Sequence, residues 1–490
     1  MNNDIHNKKW SSSVVKYGKW YMISSVLTKG LNILLLPIYT RYLPPHDYGI
    51  LQTLGSVSAF LPFILSLSLD SAFGRYFHED KYSKQSLATL YSTVYWFVVG
   101  YAIIMLILAF ATSVLWMEDL ITVPIWPYAY LTFIPVLFSQ LGNLGRTFMQ
   151  QALETKKSTI VDVLSTLINA VISVFLLVFC DLGVISRLLG IAAGSFFMFG
   201  FYHLYFVHNG ILKKTFSFAC LKKCLVYSLP LLPAMMGTWI SSLSDRLIIA
   251  KYSSMASVGL YSLAVQFGQI LYLVGDAITR VIGPLIMSGL IADKDATMNK
   301  VRNTSYFILV TMLFSNLVLY VFSEDIVSVF ATKQYSSAAV FIPIFGFNYV
   351  LGMQQRFPTQ IISYKNKTWV ISAGCILMAV LNLTLNLIFV PIYGYEFSAL
   401  ASVAANLFYF AWSFAWGQYF ERVNYKVKES VMSVVLFFSL VIMFFFMSQI
   451  EIGLFGMLSM KICFTLACAF IFVMIYDKDI ILRLLANYRK

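Results

Sequence analysis

The sequence predicts an all-α polytopic membrane protein of about 14 transmembrane helices, arranged as two parallel-repeat six-helix bundles plus two C-terminal helices. Three observations carry this. Of 490 residues, 59% are hydrophobic and only 12% charged, where a soluble domain carries about 25% charged residues; mean hydropathy is +0.77. Apolar runs of roughly 18 or more residues, each long enough to cross a bilayer, recur along the whole chain. Lys and Arg then alternate strictly between the loops. With Arg356 counted at a helix end, 27 of the 35 fall in the N-terminal tail, every second loop and the C-terminal tail, against four (Arg41, Arg187, Lys251 and Lys333) in the opposite loops and helix ends. This is the positive-inside signature. It places both termini in the cytoplasm and explains the +13 net charge without nucleic acid. A β-barrel would need alternating segments of about 10 residues, and the pattern does not show them.

Residues 1–19 are polar and basic with no short apolar region and cleavage site, so the first span is expected to act as the insertion signal. Spans are predicted at about 20–40, 49–69, 87–115, 124–144, 160–180 and 184–207. These six make an N-terminal bundle over 1–208. The basic stretch 209–224, containing Lys213, Lys214, Lys222 and Lys223, reads as a cytoplasmic linker. Spans at about 225–250, 258–288, 304–323, 338–357, 369–390 and 398–420 make a second bundle over 225–420. Six helices per half give both halves the same orientation, a parallel repeat. Sequence self-similarity supports it: Arg41, Tyr42, Gly49 and Ile50 fall on Lys251, Tyr252, Gly259 and Leu260 at an offset of 210, each set in the turn of a helix hairpin. Two more spans, about 430–449 and 453–476, have no counterpart, and 477–490 reads equally as a short amphipathic helix on the inner surface or a frayed basic end. Pro62, Pro135, Pro284 and Pro343 bend their helices; shape is the simpler reason, gating the other. Gly190 and Gly194 form a GxxxG that is expected to pack helices closely.

Polar residues recur at helical spacing within otherwise apolar spans. Helix one carries Ser25, Thr28, Lys29 and Asn32. Helix five carries Asp162, Ser165, Thr166, Asn169 and Ser173. Helix seven carries Thr238, Ser241, Ser242 and Asp245, helix eight Gln269, Tyr272, Asp276, Thr279 and Arg280, and helix twelve Ser402, Asn406, Tyr409 and Ser413. Residues three and four apart share a face, and lipid cannot solvate such a face. The strips are expected to line a wet cavity suited to a hydroxyl-rich substrate. Buried cations sharpen this. A mid-membrane charge costs at least about 2.5–3.5 kcal/mol and is a functional candidate by default. Lys29 is too deep to snorkel. Arg246 cannot pair with adjacent Asp245 on the same helix face. Both read as substrate or gating residues, the alternative being static pairs with Asp70, Asp162 or Asp245. Arg280 divides between an i−4 pair with Asp276 and a ligand contact. Lys461, in the unrepeated appendage, is expected to snorkel. Bases in a wet cavity imply an anionic ligand, because guanidinium and ammonium groups match phosphate oxygens.

No phosphate-binding GxxxxGK[ST], HExxH or GxSxG occurs, so no enzyme chemistry, cofactor or metal is expected. Cys220 and Cys224 lack further ligands at metal-site spacing, and the six cysteines are not expected to form structural disulfides.

Ser244-Asp245-Arg246-Leu247-Ile248-Ile249 with Val258-Gly259-Leu260-Tyr261-Ser262 resembles a signature of bacterial O-antigen and polysaccharide flippases, in the multidrug/oligosaccharidyl-lipid/polysaccharide exporter superfamily. Arg41-Tyr42-Leu43-Pro44, Asp47-Tyr48-Gly49-Ile50 and Ser71-Ala72-Phe73-Gly74-Arg75-Tyr76-Phe77 resemble that family's N-terminal pattern, and Tyr227–Pro233 its opening of helix seven. The likeness covers the first and middle thirds and weakens after about 300. It implies two bundles facing each other in a V, alternating access, and a cargo of undecaprenyl-pyrophosphate-linked oligosaccharide moved across the bacterial inner membrane, with membrane lipids, a polysaccharide polymerase and a chain-length regulator as partners. By that resemblance Lys29, Arg246 and Arg280, with Asn32 and Asn169 from the polar strips, would bind substrate. Asp162, Asp245, Asp276 and Arg75 would serve gating or coupling to Na⁺ or H⁺. The competing readings are a cation-coupled multidrug antiporter of the same superfamily, a peptidoglycan-precursor flippase, and a membrane polysaccharide polymerase; the last is disfavoured by short external loops.

Overall fold

A computed structural model describes residues 20, 27–28, 30–32, 34–80, 84–121, 123–271, 286, 293–365, 367–450 and 453–476. Lys29, Tyr272, Asp276, Thr279, Arg280 and the tail 477–490 lie outside the described residues. Among the described residues ten helices are long and apolar enough to cross a membrane, and Met255–Leu271 is a shorter apolar helix. The chain divides into two compact units, Met1–Gly259 and Leu260–Lys490.

In the first unit, residues 34–42 are helical. They are followed by α1 (Pro45–Ser66), α2 (Leu69–Asp80), α3 (Lys84–Ile121), α4 (Tyr128–Gln151), α5 (Thr155–Val178), α6 (Val184–His208), α7 (Phe218–Ser228) and α8 (Leu232–Tyr252). The short apolar helix α9 (Met255–Leu271) begins here and carries the chain into the second unit. Sequence order puts a linker at 209–224; the packing boundary falls 35 residues later, inside α9, because α8 packs on α1 and α3. The linker does not hang free. Ser92 on α3 donates to the Ile211 carbonyl and accepts from the Lys213 amide, and Thr93 accepts from the Ser217 amide.

Local chemistry explains the element ends. Pro45 opens α1 at a position whose amide would have no helical partner. The second predicted span is broken: Leu67 and Ser68 sit at φ 48° and 54°, left-handed backbone that disfavours side chains with a Cβ, and the helix resumes as α2. The core of this unit is aromatic, with Phe73, Phe77, Tyr91, Phe148 and Phe206 buried together. Gly190 and Gly194 do pack helices: a Cβ at Gly190 would collide with Ser173 Oγ, and one at Gly194 would lie 2.8 Å from the Ser165 carbonyl oxygen. This close approach of α6 to α5 builds the site described below.

The second unit contains α10 (Lys294–Val321), α11 (Ser323–Phe330), α12 (Ile342–Gln354), α13 (Arg356–Tyr364), α14 (Thr368–Tyr393), α15 (Glu396–Phe420), α16 (Val427–Ser448) and α17 (Leu454–Tyr476). Asp293 caps α10 by accepting from the Ala296 amide at 3.1 Å. The two unrepeated helices complete this core: Phe437 and Phe444 from α16 and Phe464 and Phe472 from α17 join Leu313 and Leu317 of α10. Lys461 differs from expectation. It does not end in solvent; its Nζ lies 2.5 Å from Asp325 Oδ2, with the lysine side chain 7% exposed.

The strip on helix twelve is also used differently. Asn382 donates to Ser402 at 3.4 Å, and Gln355 Nε2 donates to the Asn406 carbonyl and side-chain oxygens at 2.9 and 3.1 Å. These are bonds between helices, so this strip joins α15 to α14 and α12. A cysteine at Asn406 is accordingly expected to react with a water-soluble maleimide several-fold more slowly than one at Asn32, measured by labelling rate; equal rates would return Asn406 to a wet surface.

Where α10 and the segment after α15 meet, Glu421 accepts from Lys294 and Lys365, each at 2.7 Å. Those two bonds hold its carboxyl below its ordinary value of 4.5. A depressed carboxylate contributes stability above its unfolded value and loses it as pH falls through the folded one. The thermal midpoint of the detergent-solubilised protein should therefore lose this contribution only below about pH 4.5. At pH 7 Glu421→Gln should lower stability by under about 1 kcal/mol, since the lysines are partly exposed.

Candidate functional site

The site is built where α5 and α6 touch. Gly190 and Gly194 bring α6 against the Asn169–Ser173 face of α5. Arg187, one turn N-terminal to Gly190, is thereby laid over that face. Its Nη1 donates to Asn169 Oδ1 at 2.6 Å and Ser173 Oγ at 3.4 Å. Its Nη2 donates to Asn32 Oδ1 at 3.4 Å. Each amide is set by a further bond: Ser173 donates to Asn169 Oδ1 at 3.1 Å, and Asn32 Nδ2 donates to the Thr28 carbonyl at 3.0 Å. The guanidinium stands 5.0 Å from the centre of the Tyr39 ring, within cation–π range. The Tyr39 hydroxyl is buried and makes no hydrogen bond among the described residues.

The partners of Arg187 are amide and hydroxyl oxygens and an aromatic face. Among the described residues no carboxylate pairs with it. Neutral acceptors orient a guanidinium without cancelling its charge, and five N–H donors exceed the acceptors present. Such an arrangement can take an anion with oxygen acceptors.

Arg246 stands on α8. It is 7% exposed, and Asp245 is 2% exposed; both have interaction partners within the fold. Tyr48, on the first turn of α1 and bonded to Gln52, lies in the electrostatic field of both Arg246 and Arg187. Arg246 is therefore buried within the unit, and it and Arg187 both act electrostatically on Tyr48.

Of the predicted site residues, Asn32 and Asn169 come together on one cation, and Arg246 shares Tyr48 with it. Asp162 belongs elsewhere, 4.0 Å from Arg146 Nη1. Arg75 is exposed on α2 and has an interaction partner within the fold; the neighbouring Tyr76 ring carries Lys223 Nζ at 4.2 Å. Lys29, Asp276 and Arg280 lie outside the described residues. The residue that sequence reasoning passed over is Arg187. It counted only as one of four cations in the loops and helix ends of the basic-poor side, and the structure likewise makes it the fourth residue of α6. Its rarity on that side was the available signal.

In the same unit, α1 and the start of α9 cross at two glycines. A Cβ on Gly49 would collide with the Met255 carbonyl oxygen, and one on Gly259 with that of Pro45. The repeat-equivalent residues therefore meet face to face, one position from Tyr48.

Comparison with known proteins follows the same lines. An uncharacterized membrane protein of Haemophilus influenzae is 24% identical over 375 residues, 76% of this chain and 89% of that one. The succinoglycan biosynthesis transport protein ExoT of Rhizobium meliloti is 25% identical over 264 residues, 53% of this chain and 51% of that protein. Among solved structures, the lipid II flippase MurJ in an inward closed conformation superposes with a TM-score of 0.72 at 15% identity, covering 95% of this chain and all of that one. An inward-facing multidrug resistance MATE family transporter of the MOP superfamily gives 0.64 at 11% identity, covering 81% of this chain and 97% of that one. These likenesses establish the fold. Residues 38–340, more than half of the sequence and the stretch holding the α5–α6 site and the glycine crossing, match the family model described as polysaccharide biosynthesis protein, and the chain belongs to that family.

Proposed function

We propose that this protein is a flippase for an undecaprenyl-pyrophosphate-linked oligosaccharide, an O-antigen unit or a similar repeat. It works in the bacterial inner membrane by alternating access, from the cytoplasmic to the outer leaflet, with both chain termini in the cytoplasm. The observation that carries this reading is Arg187: a guanidinium held by three neutral oxygens, with no carboxylate on it among the described residues. Anionic oxygens of a pyrophosphate or acidic sugar complete such a set through charge-assisted bonds. The amides of Asn32 and Asn169 offer sugar hydroxyls both donor and acceptor atoms. Arg246 adds a second cation; Lys29 and Arg280, by the family resemblance, would add others. Asp245 and Asp276 are the carboxylates through which Na⁺ or H⁺ could couple, whereas Asp162 faces Arg146 and Arg75 suits a headgroup or gate contact. No cofactor takes part. A polysaccharide polymerase and a chain-length regulator are the partners this reading implies.

A multidrug antiporter, which shares the fold, would want carboxylates foremost in its cavity to meet a cationic drug. The cluster described here presents cations and neutral amides.

The test combines cells and vesicles. Arg246→Ala should abolish surface polysaccharide while immunoblots show unchanged protein. Proteoliposomes of the intact protein should translocate a prenyl-pyrophosphate oligosaccharide but neither the same oligosaccharide on a neutral prenyl lipid nor a cationic dye. Normal surface polymer in the variant removes Arg246 from the site. Dye transport without oligosaccharide transport overturns the proposal in favour of the antiporter. Loss of cell-wall synthesis with normal surface polymer on depletion of the protein favours the peptidoglycan precursor.

A further inference from the structure

The second unit carries two adjoining cavities that the reading above does not use. One, of about 330 Å³, is apolar; it is lined by Phe347, Phe410, Phe414, Val431, Val434 and Tyr425 among others. Its size falls in the range of small-molecule sites. The other, of about 250 Å³, is polar and lined by three cations, Lys294, Arg302 and Arg422, two carboxylates, Asp295 and Glu421, and Asn424 among others. The same two elements build both in the same order. On α10, Arg302 lines the polar cavity and Ser305, one turn on, lines the apolar one. After α15, Asn424 lines the first and Tyr425 the second. Charge asymmetry assigns this end of the unit to the cytoplasm, so the cations stand at the membrane surface and the apolar cavity runs inward from them.

The charges are not used up locally. Glu421 is taken by Lys294 and Lys365, while among the described residues neither Arg302 nor Arg422 forms an ion pair. Each cavity has a lining residue with a buried donor that makes no hydrogen bond among the described residues: Arg302 Nε for the polar cavity and the Tyr425 hydroxyl for the apolar one. Buried donors of this kind ordinarily have acceptors. A phosphodiester between the two cavities would supply oxygens to both, with Arg422 beside it, while an acyl chain entered the aromatic cavity.

We propose that this pair of cavities is a binding site for an anionic glycerophospholipid of the inner leaflet, separate from the Arg187 cluster and independent of the cargo. Neither feature alone selects such a ligand. A free phosphate leaves the apolar cavity without a role, and a zwitterionic lipid brings its own cation against Arg302 and Arg422.

The test is native mass spectrometry of the full-length protein in detergent. Palmitoyl-oleoyl phosphatidylglycerol, the matching phosphatidylcholine, a polyprenyl phosphate and inorganic phosphate are titrated separately. The wild type should retain one phosphatidylglycerol at least fivefold more readily than phosphatidylcholine. Arg302→Ala/Arg422→Ala should erase that preference, and Arg302→Lys/Arg422→Lys should keep most of it. Val434→Trp, which fills the apolar cavity and leaves every charge in place, should also lose the retained lipid. Equal retention by the double alanine variant overturns the proposal. So does full displacement by inorganic phosphate at equal concentration, which makes the site a phosphate site, or retention of the polyprenyl phosphate alone, which makes it part of the cargo path. If the alanine pair does not yield folded protein, Val434→Trp decides, and unchanged retention there overturns the assignment.

Discussion

Arg187→Ala is expected to lower translocation of lipid-linked oligosaccharide by roughly 10- to 150-fold. The size follows from the bonds at stake. A hydrogen bond to a charged group is worth about 1.5–3 kcal/mol, and about 1.4 kcal/mol is tenfold. An arginine with uncommitted donors would spend them on the cargo, so the loss falls on transport first. Folding should suffer less, because Asn169 Oδ1 keeps the bond from Ser173 and the α5–α6 contact rests on Gly190 and Gly194. Arg187→Lys separates the two contributions. It keeps the charge but not the fork that spans Asn169 and Asn32, so it should recover part of the activity. The measurement is initial translocation rate in proteoliposomes, normalised to inserted protein. Near-normal rates for Arg187→Ala, or loss of folded protein in both variants alike, would make the residue a structural clamp.

That prediction concerns a residue the sequence did not point to, and the reason is physical. Helical spacing shows which residues share a face, so the Asn32 and Asn169 strips were legible. It does not show what the face meets. Arg187 sits at a helix end, where a cation is ordinarily a snorkelling or loop residue; its role appears only once two glycines bring α6 onto α5. The helix-twelve strip fails in the other direction: the same periodicity is there, yet Gln355 and Asn382 from neighbouring helices take up its polar atoms. Lys461 and Asp325 lie 136 residues apart, and nothing local announces their pairing. The spans themselves were legible because apolar length and charge alternation are properties of the chain in its solvent, not of particular contacts. The Leu67–Ser68 break was not, since neither residue is a Gly or Pro that would mark it.

The glycine crossing gives the second large effect, and here sequence and structure meet directly. The repeat aligns Gly49 with Gly259, and the two stand against each other, a Cβ on either lying 3.1–3.2 Å from the other's amide nitrogen. The atoms nearest each absent side chain are main-chain carbonyls of helix starts, which cannot rotate aside as a long side chain would. Overpacking of that kind costs typically about 1–3 kcal/mol, equivalent to a roughly 5- to 150-fold shift between two conformations that differ in the contact. On the proposed alternating access, the crossing would hold while the outer side is closed and part when it opens. Gly49→Val and Gly259→Val should therefore both hold the protein open to the outside. The expected readout, in a background without native cysteines, is faster reaction of Asn32→Cys with an impermeant maleimide added outside cells, together with at least tenfold slower transport. Gly55→Val is the control, because nothing lies within 4 Å of a Cβ there. It adds the same bulk to the same helix, and it should change neither rate. If all three valines behave alike, helix propensity explains the loss; if Gly49→Val transports normally with unchanged labelling, the crossing is not a contact that must break, and closure of the outer side has to be sought elsewhere.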